Sequence, residues 1–184
     1  MARPVALTRV EEGLRYLLGN PLLSPVIAEL YDNVTVSKPN FVLGPKSEFV
    51  VVEEPQEAGI VRAAFLSTES PRVRYRVMYE VRPGRRIEWD FSAEELLFLG
   101  LDEHTGVGPY VTKAEQAVNP WTGETVWVYS IYFPPLTQLA FYNGSIRASI
   151  SNPDPNPVRV WLLHVERLVL REEALKKLRG LLAL

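Results

Sequence analysis

Apolar and polar residues alternate with a period of two across residues 72–82. Val73, Tyr75, Val77, Tyr79 and Val81 fall on one side, and Arg72, Arg74, Arg76, Met78 and Glu80 on the other. Such alternation predicts a half-buried β-strand. Arg82-Pro83-Gly84-Arg85 reads as a turn, and Ile87, Trp89 and Phe91 resume the alternation, so a hairpin is expected. Further strands are predicted over 48–53, 60–66, 107–112, 125–132, 145–151 and 158–169. Several of these are bounded by Pro, Gly or Asn.

Helical signals are few. Thr8-Arg9-Val10-Glu11 is a capping-box pattern that opens an apolar stretch over 10–18, and Gly19-Asn20-Pro21 closes it. Residues 22–31 are apolar on most sides. A second capping box, Ser92-Ala93-Glu94-Glu95, precedes Leu96, Leu97, Phe98 and Leu99, with Gly100 as the stop. At the C-terminal end, Leu175, Leu178 and Leu182 keep helical spacing against Lys176, Lys177 and Arg179. The chain therefore divides into a helical arm over 1–32, a β domain over 33–170 and an amphipathic helix over 171–184.

About eight strands with few helices predict a mainly β fold, a sandwich or barrel, rather than alternating β and α units. Connections of unequal length favour a β-sandwich of jelly-roll type over an up-and-down barrel. The 184 residues suffice for one domain with a sizeable core. No apolar run is long enough to span a bilayer as a helix, and the first residues lack the apolar stretch of a signal peptide.

Composition narrows the chemistry. With no cysteine, disulfides, thiolate catalysis and cysteine metal sites are excluded, and the two histidines, His104 and His164, lie far apart. Neither a metal nor an organic cofactor is expected. Asp102-Glu103-His104 reads as a solvated loop, since adjacent side chains diverge. Gly106-Val107-Gly108-Pro109 lacks the third glycine of a dinucleotide fingerprint. No nucleophile elbow, phosphate loop or His-x-His pair occurs, so no catalytic residues are assigned and the chain is read as a non-enzyme. Asn33-Val34-Thr35 and Asn143-Gly144-Ser145 match the glycosylation sequon only formally, and Asn143-Gly144 reads as a turn. Fifteen arginines against five lysines, 18 glutamates against four aspartates, and 15 prolines suit a protein adapted to heat.

Two features suggest partners. Arg62, Arg72, Arg74, Arg76, Arg82, Arg85 and Arg86 fall within one short stretch, and the period of two places Arg72, Arg74 and Arg76 on one face. That face would meet acidic groups, either its own or those of a protein partner. Tyr75 and Tyr79 point the opposite way, so no base-stacking platform forms and no specific nucleic-acid partner is expected. The leucine stripe of Leu175, Leu178 and Leu182 would dock on a neighbouring subunit, and the bases around it allow contact with an anionic membrane.

One stretch carries a resemblance. Phe133-Pro134-Pro135-Leu136 leads into 141–147, then into Ser151-Asn152-Pro153-Asp154-Pro155-Asn156-Pro157, then into the strand from Val158 to His164. Paired strands with a Pro/Asn-rich tip resemble the C-terminal part of small β-sandwich virion proteins. In size and composition the chain is similar to the small major capsid proteins of tailless icosahedral, membrane-containing viruses of thermophiles such as Thermus. The resemblance implies an upright single jelly roll and a location in the virion, with the cytoplasm as the site of assembly. It also implies partners: further copies of itself, a second capsid protein and an internal membrane. The alternative from the residues is a carbohydrate-binding module or glycan-active enzyme of the same fold, with Trp89, Trp121 and Trp127 as sugar platforms.

Overall fold

The computed structural model describes residues 29–104, 111–133, 140–174 and 176. In chain order the elements are β1 (Tyr31–Leu43), β2 (Glu48–Thr68), β3 (Arg74–Arg82), β4 (Arg85–Ser92), α1 (Ala93–Phe98), β5 (Val111–Val118), β6 (Thr125–Phe133), β7 (Ala140–Ser151) and β8 (Val158–Leu170). The protein is mainly β. Among the described residues eight strands form an antiparallel sheet in the order β1-β8-β2-β7-β3-β4, with β6 pairing both β2 and β5.

The long strand β2 organises the sheet. Its first half pairs with β7 alone, from Glu48 opposite Ser151 to Ala58 opposite Asn143. From Gly59 onward β8 lies along its other edge. β7 and then β6 occupy the remaining edge, β6 pairing with Ala64–Thr68. The strand order puts β3, β7 and β2 between β4 and β6, about 19 Å of flat sheet. Yet Trp89 on β4 packs against Phe133 on β6 with ring centroids 6.3 Å apart. The sheet therefore folds over on itself.

The enclosed core is apolar. Tyr75, Val77 and Tyr79 of β3 meet Leu66 of β2, Ile131 and Phe133 of β6, Ile146 and Ile150 of β7, and Leu163 and Val165 of β8. Each large side chain withdrawn from water contributes about 1.5–3 kcal/mol. α1 closes one margin. Its capping box forms as the sequence implies, with Ser92 Oγ accepting from the Glu95 backbone and Glu95 accepting from the Ser92 backbone. Gly100, at φ +69°, ends it. Gly84, at φ +75°, makes the expected β3–β4 turn.

Several expectations need correction. The strands expected over 48–53 and 60–66 are one strand. Glu53-Glu54-Pro55-Gln56-Glu57 reads as a polar break, but the register shifts there and Pro55 sits within the irregularity, where a missing N–H is tolerated. β1 was not foreseen as a strand. It is a mostly exposed edge, so its alternation is weak, and Pro39 and Asn40 interrupt it. Arg72 lies in the turn before β3 rather than in the strand. Asn143-Gly144 is not a turn. It lies inside β7 opposite Ala58 and Glu57, and Gly144 has φ +147°, a backbone conformation that favours glycine. The strand expected over 107–112 is β5, displaced to Val111–Val118.

Residues 1–28, with the first capping box, lie outside the described residues, as do 106–109. Of the expected tail helix, residues 172–174 and 176 are helical. Glu172 and Lys176 form an i,i+4 ion pair at 2.9 Å. Arg171 donates from its backbone to Leu30 and pairs with Asp32 at 2.8 Å, tying the end of β8 to the start of β1. Leu175, Leu178 and Leu182 lie outside the described residues.

Candidate functional site

The arginine face is built by β3 and answered by β4 and α1. Arg74 Nε donates to Asp90 Oδ1 at 2.8 Å, and its Nη1 donates to Glu95 Oε1 at 2.9 Å. Arg76 donates twice to Asp90 Oδ2, at 3.0 and 2.7 Å, and reaches Glu88 at 3.3 Å. Asp90 thus bridges two guanidiniums. Partial burial pushes its carboxyl up, but the hydrogen bonds from Arg76 and Arg74 outweigh this and hold it below the ordinary range. Glu95 follows the same balance, with Arg74 and the Ser92 backbone as its donors. Arg72, in its turn, reaches Asp154 at 3.3 Å and Glu94 at 3.7 Å. Arg74 and Arg76 therefore share a face and Arg72 lies beyond its end. All three find acidic partners within the chain.

Beside this face runs a shallow cleft of about 530 Å³ between β4 and α1, lined by Asp90, Phe91, Glu94, Phe98 and Leu99 among others. Phe98 is 91% exposed and Leu99 58%. Neither had been singled out as a contact residue. The signal was the apolar run after the second capping box. A six-residue helix buries only one side, and that side is taken by Ala93 and Leu96.

The three tryptophans separate. Trp89 packs against Phe133 and donates to Tyr79 Oη at 3.2 Å, so it belongs to the interior. Trp127 stays half-exposed, stacked on Tyr129 at the end of the sheet. Trp121 stays 45% exposed and meets Trp161 edge-on at 5.6 Å, with the Arg159 guanidinium 5.7 Å from its ring. Glu69 Oε1 takes hydrogen bonds from Trp161 Nε1 at 2.8 Å and Asn119 Nδ2 at 2.6 Å. Asn119 Oδ1 in turn accepts from the backbones of Trp121 and Thr122. The loop bearing Trp121 is thus braced.

No protein-family model matches the chain, and no curated protein matches it in sequence.

A second charged cluster escaped sequence reading. Arg167 follows Leu163 and Val165 along the core-facing side of β8, and its side chain is only 4% exposed. It donates to Glu57 Oε1, which also accepts from Tyr142 Oη at 2.5 Å. Burial, then the Glu57 carboxylate, pushes the Tyr142 phenol well above its usual range. These residues come from β8, β2 and β7, where β2 gains its second neighbour, so they clamp that junction. The only sequence signal was an arginine at core spacing.

Asp102-Glu103-His104 is a surface turn. Asp102 accepts from the His104 backbone at 3.0 Å, and Glu103 pairs with Lys113 at 3.8 Å. His164 sits half-buried in β8 opposite Ser37 and Phe65. Among the described residues no group of three or more histidines and carboxylates could hold a metal ion. No described helix is long and apolar enough to cross a membrane.

Proposed function

We propose that the chain is a structural, self-assembling subunit of a virion shell, built on a single jelly roll. The observation that carries this reading is the nested antiparallel pairing. β3 pairs with β4, the two halves of β2 pair with β6 and β7, and β1 pairs with β8. This is one long ribbon closed by the β3–β4 hairpin and rolled up. One layer is then β1-β8-second half of β2-β6, extended by β5, and the other is first half of β2-β7-β3-β4. With β5 set aside, the remaining eight segments in that order support a reading as the double Greek key used by capsid proteins, and also by lectins and cupins.

Fold alone does not choose among those uses. The shell reading is supported by the large apolar side chains left in the open at Phe98, Leu99, Val118 and Trp127. The resemblance of the C-terminal third to small virion proteins points the same way. On this reading the partners are other copies of the chain, a second capsid protein and the anionic face of an internal membrane. The protein acts in the virion after assembly in the cytoplasm.

The second reading, a carbohydrate-binding module, is favoured by the braced Trp121 beside Trp161, Glu69 and Arg159. One experiment separates them. The purified chain at tens of micromolar is imaged by negative-stain electron microscopy and melted with a panel of neutral and acidic sugars. Regular oligomers or sheets with no sugar-dependent melting shift support the shell subunit. Isolated monomers stabilised by one sugar overturn it.

A further inference from the structure

We propose that β4 is the seam of a two-fold dimer, pairing edge to edge with β4 of a second copy. β4 has β3 on one side and, among the described residues, no strand on the other. Its eight residues include no proline to block a further strand, and the charges that would otherwise guard such an edge are of both signs, so a second copy can pair them. The other free edges are less suited. β1 carries Pro39, the first half of β2 carries Pro55 and two register shifts, and on β5 Lys113 and Glu115 neutralise each other at 2.9 Å.

The charges of β4 are ordered along its length. It starts Arg85-Arg86, just after Arg82, and ends with Glu88 and Asp90, followed by Glu94 and Glu95. Arg82, Arg85 and Arg86 are exposed and form no ion pair among the described residues. Glu88 is half-exposed and meets Arg76 only at 3.3 Å, so it has room for a second cation. An antiparallel two-fold sets the basic start of one strand against the acidic end of the other, and does so twice.

Centring the pair on Ile87 keeps Glu88 from facing itself. Arg86 then lies opposite the partner's Glu88, and Ile87 opposite the partner's Ile87. Pro83 falls opposite the partner's Phe91, about 13 Å from the axis at the usual rise per residue. The β3–β4 turn of each copy thus reaches the apolar cleft of the other, where Phe98 and Leu99 are exposed. The proposal deepens the shell reading, which requires self-association, by naming the surface and its occupant.

The test is a charge swap read by sedimentation velocity on the full chain at tens of micromolar. Arg86→Glu and Glu88→Arg each put like charges opposite one another in a homodimer. Each should weaken dimerisation by about tenfold or more, while circular dichroism shows an intact fold. Mixing the two variants one to one should restore a dimer, because each altered side chain then faces its opposite. Two variants as dimeric as the wild type overturn the β4 seam and leave the shell reading standing. So does a mixture that stays monomeric. A wild-type chain that is itself monomeric overturns both.

Discussion

Gly59 occupies the point where β2 stops being an edge and becomes an interior strand, and replacing it by alanine tests that crossing. It is paired with Tyr142 of β7 on one side and Val169 of β8 on the other. A Cβ there would stand 2.3 Å from the Leu168 carbonyl oxygen and 2.8 Å from the Tyr142 hydroxyl. The carbonyl is backbone in a paired strand and cannot swing aside, so β8 or β2 must shift. Overpacking of this kind costs about 1–3 kcal/mol. Displacing Tyr142 weakens its bond to the Glu57 carboxylate, and a hydrogen bond to a charged group is worth about 1.5–3 kcal/mol. Stiffening of the unfolded chain returns about 0.4–1 kcal/mol. The net loss is about 3 kcal/mol, or about 6–12 °C in Tm for a domain of this size. Thermal unfolding followed by circular dichroism reads it, with Gly44→Ala as the control. A Cβ at Gly44 meets only the Ser47 side chain, with Oγ at 3.4 Å and Cβ at 3.8 Å, so that variant should stay within about 0.5 kcal/mol of the parent. A Gly59→Ala protein as stable as the control would refute the close double pairing of β2.

Other outcomes follow from the same structure. Arg167→Met strands the Glu57 carboxylate beside Tyr142 and should cost about 3 kcal/mol in urea unfolding, with Glu57→Leu in the same chain recovering most of it. Equal stability of the single and double variants would show the clamp to be idle. The carboxyls of Asp90 and Glu95 are held below their unfolded values of about 3.9 and 4.3. Their contribution is therefore complete above those values and lost as pH falls through the lower folded ones. Melting temperature should drop below about pH 4, and less steeply in Asp90→Asn; identical pH profiles would contradict the pairing. Deleting residues 171–184 removes the Arg171–Asp32 bridge and buried Ala174, and should lower Tm or reduce the oligomer. No change in either would mean that the leucine stripe docks on nothing.

Local chemistry was readable where one rule acted without competition. The alternation around Tyr75 gave both the strand and its buried face, because half-buried strands must alternate. Ser92 and Glu95 gave the start of α1, because reciprocal capping needs only four consecutive residues. Long-range geometry was hidden. Pro55 signals a break by its own propensity, but β7 pairs across the irregularity, so tertiary pairing overrides it. Asn143-Gly144 has turn chemistry, but the glycine serves a positive φ inside β7 instead. The arginine face was legible as a charge cluster. Its main counter-ion, Asp90, was not singled out, although the expected β3–β4 hairpin sets it directly opposite Arg76; the exact register depends on the irregularity beside the turn, between Glu80 and Arg82. Arg167 and Glu57 stand more than a hundred residues apart, a separation that no periodicity within one strand can bridge.

A shell subunit must assemble with copies of itself. Multi-angle light scattering at tens of micromolar, in low and in high salt, reads that assembly. A dimer or larger species is expected in low salt. Added salt should weaken it, because screening reduces the Arg86–Glu88 contacts, but the apolar contribution of Phe98 and Leu99 should keep a measurable dimer population. A strict monomer of 20.8 kDa under both conditions would contradict it.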